Sequence, residues 1–215
     1  MSSHQAVGHM DEPFIANPYA THAVPAPYAI PSRKTGMWLF IISDSITFGA
    51  MLIAYAFLRL GSPQWPHPFE FGSSILNATV MTIVLVTSSL SMVGAITAAK
   101  REDWGKTTLW LLATVALGVT FAILHLREWF GMFHEGVRLF QNPWGTPVFG
   151  AAFFGLTGLH ILHVTGGVIY LLVVVALVQA KKIKANGVEI AGLYWCFVDL
   201  VWMFIYPMVY LMSAK

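Results

Sequence analysis

Apolar residues fall in five long blocks along this chain, and polar residues crowd into the short stretches between them. The blocks run from Thr35 to Leu58, Ser74 to Ala99, Thr107 to Phe130, Val148 to Val178 and Glu189 to Met212. A bilayer core about 30 Å thick takes roughly 20 helical residues to cross, and each block supplies enough. In hydrocarbon every backbone N–H and C=O must be satisfied within its own segment, so such blocks are helices rather than open strands. The pattern predicts an all-α, polytopic membrane protein. It consists of a single five-helix transmembrane bundle over residues 35–213, preceded by a polar extramembrane arm over residues 1–34. The fourth block is longer than crossing requires, which predicts tilt or protrusion. The second is the least greasy. It carries Thr79, Thr82, Thr87, Ser88, Ser89 and Ser91, and small hydroxylated residues suit close helix packing. Pro207 removes a rung of the backbone ladder late in the fifth block and predicts a kink there.

Composition strengthens the membrane reading. Of 215 residues 57% are hydrophobic and only 10% charged, with a mean hydropathy of +0.67, whereas a soluble domain carries roughly 25% charged residues. The formal charge of +2 is no footprint for nucleic acid. Cys196 is the lone cysteine, so neither an internal disulfide nor a CxxC metal or redox motif exists. Residues 1–32 show no apolar signal core, and the first base is Arg33, so neither a secretory signal nor an Arg-rich transit peptide is expected. Charge then orients the bundle. Arg33, Lys34, Lys100, Arg101, Lys106, Lys181, Lys182 and Lys184 gather on one side, against Arg59, Arg127, Arg138 and Lys215 on the other. The positive-inside rule places the N-terminus in the cytoplasm and the C-terminus outside. The outer connectors, Gly61 to Phe69 and Gln141 to Pro147, are rich in proline and tryptophan. They read as interfacial turns, with Trp65 and Trp144 at headgroup depth.

Ionisable residues inside the blocks are the candidates for function, because a charge in hydrocarbon is costly and marks a partner or a task. At about 1.5 Å of rise per residue, Asp44 lies ~14 Å along the first helix and Asp199 ~15 Å along the fifth. His160 and His163 lie ~18 and ~22 Å along the long fourth helix. The four fall in one central slab, which predicts that they face one another rather than lipid. His160 and His163 sit one turn apart and so share a face. Two histidines at that spacing can begin a metal site, but a third and fourth ligand are needed, and no second histidine pair stands at matching depth. Buried, hydrogen-bonded histidines at a helix interface are therefore expected, with no metal. Gly155, Gly158, Gly166 and Gly167 on the same helix predict close approach of a neighbouring backbone. Glu128, with His125 one turn before it, ends the third helix near the outer face. It reads as an ordinary interfacial terminus or as a fixed carboxylate at a partner interface. On the fifth helix Trp195, Asp199, Trp202 and Tyr206 form one stripe, aromatic packing interrupted by an acid. Asp199 accepts from the Trp195 or Trp202 indole only if their rotamers allow it.

Four segments resemble subunit III of the haem-copper oxidases, the cytochrome c and quinol oxidase family. Gly36 to Phe48, "GMWLFIISDSITF", is similar to the family's first shared helix. Leu117 to Trp129, "LGVTFAILHLREW", resembles its Leu-Gly…Gln-x-x-Glu-aromatic helix. Val148 to Val164, "VFGAAFFGLTGLHILHV", resembles its Gly-x-His-x-x-His-Val helix, and Leu193 to Pro207, "LYWCFVDLVWMFIYP", its Tyr-Trp-His-Phe-Val-Asp-x-Val-Trp helix. The motifs occur in order and span Gly36 to about Leu211. Carried over by position, the family's carbodiimide-reactive glutamate falls on Asp44, its outer-end glutamate on Glu128, its histidine pair on His160 and His163, and its last-helix aspartate on Asp199. Three positions depart from the pattern: Asp44 is one methylene shorter, His125 stands where glutamine is usual, and Cys196 stands where histidine is usual. Larger members have seven helices; this chain has the five-helix form and lacks the pair that walls one side of a lipid-filled cleft.

The resemblance implies a non-catalytic subunit of a proton-pumping terminal oxidase that reduces O₂ to water in aerobic respiration. Haem and copper are then expected in partner subunits and none in this chain. Bound phospholipid is also implied, as is packing on catalytic subunit I and other oxidase subunits, with a respiratory supercomplex as a further assembly. The implied location is a bacterial plasma (inner) membrane, as a multi-pass protein in the respiratory chain. Within it Asp44, His163 and Asp199 are expected as interior polar braces, with Asp44 coupled to protonation. Two other readings remain open from the sequence: a subunit III-like partner of a nitric oxide reductase, and a small stand-alone proton or solute transporter. Against the transporter, no inverted repeat or interrupted helix pair is visible.

Overall fold

The computed structural model describes residues 32–69, 72, 74–141 and 143–213, and these form five long helices. The helices are α1 (Ser32–Gly61), α2 (Ser74–Lys100), α3 (Trp104–His134), α4 (Pro147–Gln179) and α5 (Ala185–Ile205). All five are long and apolar enough to cross a membrane. The N-terminal arm expected from the sequence falls, for residues 1–31, outside the described residues. Residues 32–34, expected in that arm, are already helical.

α1 outruns its apolar block at both ends, where its polar residues are tied down. Lys34 at the start of α1 forms an ion pair with Glu189 at the start of α5, Nζ to Oε1 2.7 Å. At the far end Arg59 donates to the Ser213 hydroxyl at 2.9 Å and to the Met212 carbonyl. Tight backbone caps stop α2, α3 and α4. The N–H groups of Asp103, Val137 and Lys182 reach back to the carbonyls of Ala98, Met132 and Leu177. The residue before each of the three is left-handed: Glu102 (φ 59°), Gly136 (φ 82°) and Lys181 (φ 55°). This is the Schellman arrangement, made with glycine once and with a side-chain-bearing residue twice. Asp103 then caps α3, accepting from the Lys106 N–H at 3.1 Å. The Lys106 side chain beside it holds this exposed carboxyl below its usual range.

The chain does not finish as a regular helix. Pro207 supplies no N–H, and Tyr206–Tyr210 widen into a single π-type turn before a short 3₁₀ turn, Leu211–Ser213. The kink expected at Pro207 is thus a re-registration that turns Tyr206 toward α2 and Tyr210 toward α3.

Four helices make the core and one leans on it. α5 packs on both α2 and α4, and α3 completes the group against α2 and α4. In the apolar stretch of α5, 56% of residues are buried, against 11% in α1, which touches chiefly α5 and α4. The outer face of α1 presents Leu39, Ile42, Ile46, Ile53 and Phe57.

The α2–α5 seam shows what the hydroxylated residues do. Trp195 donates to Ser88 Oγ at 2.9 Å, Trp202 to Thr82 Oγ1 at 3.0 Å, and Tyr206 OH meets Thr79 Oγ1 at 2.8 Å. Each α2 hydroxyl donates its own proton to a backbone carbonyl one turn back, so its oxygen is free to accept. Thr87 faces outward and bonds only the carbonyl of Ile83. Ser91 and Thr114 join α2 to α3 at 2.7 Å.

Of the α4 glycines expected to admit a neighbouring backbone, Gly158, Gly166 and Gly167 face aromatic side chains and Gly155 the Met51 methyl; the one that closes on backbone is Gly150, against the Arg138 carbonyl. A Cβ on Gly167 would lie 3.0 Å from the Trp195 ring, and one on Gly118 of α3 only 2.5 Å from it. Trp195, 1% exposed, is therefore wedged into a notch cut by two glycines on two helices and bonded to a third. Trp65 of the first outer connector packs inward, with its ring edge-on to Tyr55 and Phe149 at 5.5 Å.

Candidate functional site

The central slab holds two separate polar centres rather than one. The first joins α1 to α4. His163 Nε2 lies 2.9 Å from Asp44 Oδ2, and His163 Nδ1 lies 2.8 Å from the Leu159 carbonyl. A carbonyl only accepts, so Nδ1 carries a proton. The bridge between Nε2 and Oδ2 then holds one further proton, either on the carboxyl facing a neutral imidazole or on the imidazole facing a carboxylate. Tyr194 OH of α5 donates to the His163 carbonyl at 3.0 Å, and Phe48 of α1 sets its ring edge-on to the imidazole at 5.1 Å. The side chains of Asp44 and His163 are 18% and 17% exposed. This pair is reachable from outside the bundle, beside the peripheral helix.

The second centre is sealed among α3, α4 and α5. His160 does not follow His163 toward Asp44. It turns inward past Phe48, at 6.5 Å, and stacks on Trp202, ring centroids 5.2 Å apart. Phe121 stands edge-on to both, at 5.7 and 4.9 Å. His125 stacks on Phe121 at 5.8 Å and meets Trp202 edge-on at 5.5 Å. Both imidazoles are fully buried, and among the described residues none of their ring nitrogens has a hydrogen-bond partner. The sequence placed His125 at an interfacial helix end and expected hydrogen-bonded histidines. Here the aromatic walls leave His125 and His160 no donor or acceptor within reach.

Asp199 and Glu128 stand apart from both centres. The two indoles of the α5 stripe donate to α2 hydroxyls, so neither serves Asp199, which faces Ser89 without closing a well-formed hydrogen bond. Cys196, one turn before Asp199, is exposed. Glu128 Oε2 accepts from Tyr210 OH at 2.9 Å, a contact made possible by the π-type turn, and its Oε1 is buried without a partner. Sequence reading missed Tyr194 and Tyr210. The first adjoins Trp195, and the second lies one turn past Tyr206 beyond a proline, a spacing that signals a shared aromatic face only if the register is known.

Taken together, Asp44 and His163 can hold and exchange a proton at a half-open edge, whereas His125 and His160 can only brace. No three His, Cys, Asp or Glu side chains among the described residues come together in a way that would hold a metal ion.

Comparison with known proteins gives a consistent family. The family profile for cytochrome c oxidase subunit III matches residues 22–214. The chain is 33% identical over 186 residues to cytochrome c oxidase subunit 3 of Alkalihalophilus pseudofirmus, covering 85% of this chain and 88% of that one. It is 34% identical over 189 residues to cytochrome c oxidase subunit 3 of Bacillus sp. PS3, covering 85% and 86%. Against the cytochrome bo(3) ubiquinol oxidase subunit 3 of Pseudomonas aeruginosa it is 29% identical over 185 residues, covering 83% and 84%.

Proposed function

The chain belongs to the cytochrome c oxidase subunit III family, and from that premise we propose that it is a non-catalytic subunit of a haem-copper terminal oxidase in aerobic respiration. The observation that carries this reading is the family match over residues 22–214, nearly the whole chain. The subunit docks on the catalytic subunit, in a bacterial inner membrane, with its N-terminus in the cytoplasm as the distribution of bases requires. Haem and copper reside in the partner subunits, and the electron donor, cytochrome c or quinol, meets those subunits. Relatives named for either donor support the shared role without fixing the donor.

This chain contributes three physical things. The exposed apolar faces, α1 foremost, give area for docking and for phospholipid. The Asp44–His163 bridge supplies a protonatable group at the edge of the bundle, placed to sustain proton delivery to the catalytic subunit. The sealed aromatic–imidazole core keeps α3, α4 and α5 rigid under it.

The test is to tag this chain, purify it in a mild detergent and record an optical spectrum and gas consumption of what comes with it. The reading expects a haem-bearing partner and O₂ reduction to water. Nitric oxide reduction in place of O₂ reduction assigns the chain to a different complex, and a chain that purifies alone without haem contradicts the proposal.

A further inference from the structure

The outer rim of the α2–α5 seam carries a carboxyl group at mid-membrane depth. Asp199 lies ten residues past Glu189, ~15 Å along α5 and so near the middle of a core about 30 Å thick. On the inner side of the seam Trp195 and Trp202 are bonded to Ser88 and Thr82 of α2. Those bonds fix the rotation of α5 and keep Asp199 at the rim. Cys196, Leu200 and Met203, at helical spacing around Asp199, are exposed. Val86 and Leu90 are exposed on α2 to either side of Ser89. Asp199 itself is half-buried, and among the described residues neither its Oδ1 nor the Ser89 hydroxyl has a hydrogen-bond partner. An ionisable group at this depth is costly against hydrocarbon, and such groups face a partner or a task.

We infer that this face receives a transmembrane helix of another polypeptide, one that brings a basic side chain to Asp199. A base supplies both things the carboxyl lacks, an N–H donor and a counter-charge. Ser89 and Cys196 are small, which lets a neighbouring helix come close enough for that contact. Val86, Leu90, Leu200 and Met203 then give it apolar packing on both sides. A second copy of this chain does not fit. From Ser74 to Ala99 of α2 and throughout α5 there is no Lys, Arg or His, so two copies meeting on this face would set acid against acid or against hydrocarbon. The inference rests on the proposed function for the existence of membrane partners. It goes beyond that reading in assigning the face and the chemistry of the helix that meets it, whereas the outward face of α1 is apolar throughout and specifies neither.

The experiment places photoreactive p-benzoylphenylalanine at Leu200 of the tagged chain, irradiates the native membrane before any detergent is added, and identifies the cross-linked peptide by mass spectrometry. The expected product joins this chain to an apolar span of another polypeptide that carries Lys, Arg or His near its middle. Cross-links to lipid alone, to a second copy of this chain, or to a span without a base overturn the inference. Asp199→Asn, in the chain with Leu200 intact, is expected to lower retention of the identified polypeptide through a detergent wash about tenfold, as loss of one strong bond between membrane helices provides. Asp199→Glu keeps the charge and is expected to retain it. Unchanged retention in Asp199→Asn, or equal loss in both variants, also overturns the inference. Should Asp199→Asn fail to assemble, the cross-link decides alone, because it is made with Asp199 in place. The haem spectrum of the purified sample reports separately on the oxidase reading: a base-bearing helix captured without haem keeps this inference and removes that one.

Discussion

Asp44 and His163 join α1 to α4 through a single bond. Because His163 Nδ1 is committed to the Leu159 carbonyl, the bond to Asp44 holds one proton whichever atom owns it. Asp44→Asn keeps a donor for Nε2 and removes the carboxyl. Assembly is expected to survive and carbodiimide labelling of this helix to disappear; labelling that persists in the variant refutes Asp44 as the reactive acid. Trp195 carries the structural counterpart. Trp195→Phe loses the bond to Ser88 and is expected to cost about 1 kcal/mol, in the range of hydrogen bonds between membrane helices. Gly118→Ala is expected to cost about 1–3 kcal/mol, because its methyl group would press into a ring that two other helices hold in place. Unfolding in mixed micelles measures both, and an unaffected Gly118→Ala would mean that the notch is looser than described. The sequence made the depth of Asp44 and His163 legible. It could not show which way each side chain points around its helix. His160 and His163 are one turn apart and both touch Phe48 of α1, yet His163 reaches Asp44 while His160 points inward onto Trp202 of α5. Asp199 shares their depth and still misses them, since its side of α5 faces Ser89 of α2.

At the level of elements, the five helices were readable because nothing else satisfies the backbone across such long apolar blocks. Their ends were not, because the last turns are held by pairing across the bundle rather than by apolar content. Lys34 with Glu189 and Arg59 with Ser213 extend α1 beyond its apolar block at both ends. The turns themselves make a prediction with opposite signs. Gly136 occupies a left-handed position without strain, so Gly136→Ala is expected to destabilise by about 1 kcal/mol. Lys181 occupies the same kind of position with a side chain, so Lys181→Gly is expected to be neutral or to stabilise by up to about 1 kcal/mol. Thermal melting of the purified assembly compares the pair, and a destabilising Lys181→Gly would show that its side chain does more than tolerate the turn. The π-type turn at Tyr206–Tyr210 was legible only as a kink at Pro207. Its consequence, the placing of Tyr210 on Glu128, depends on a register that the sequence does not display.

The whole molecule is four helices locked by indole-to-hydroxyl bonds and aromatic packing, with α1 held against α4 and α5 by polar ties at both ends and in the middle. That arrangement leaves extensive apolar surface outward, which suits a protein surrounded by lipid and by other subunits. Under the proposed function, the inner polar groups of this chain brace the bundle or hold a proton, and the electron-carrying groups lie in its partners. The most direct measurement is to dissociate this subunit from the purified assembly and assay haem, copper and initial O₂ reduction rate in both fractions. The account predicts that haem, copper and initial O₂ reduction all stay with the remaining subunits. Stoichiometric haem or copper travelling with this chain would contradict it.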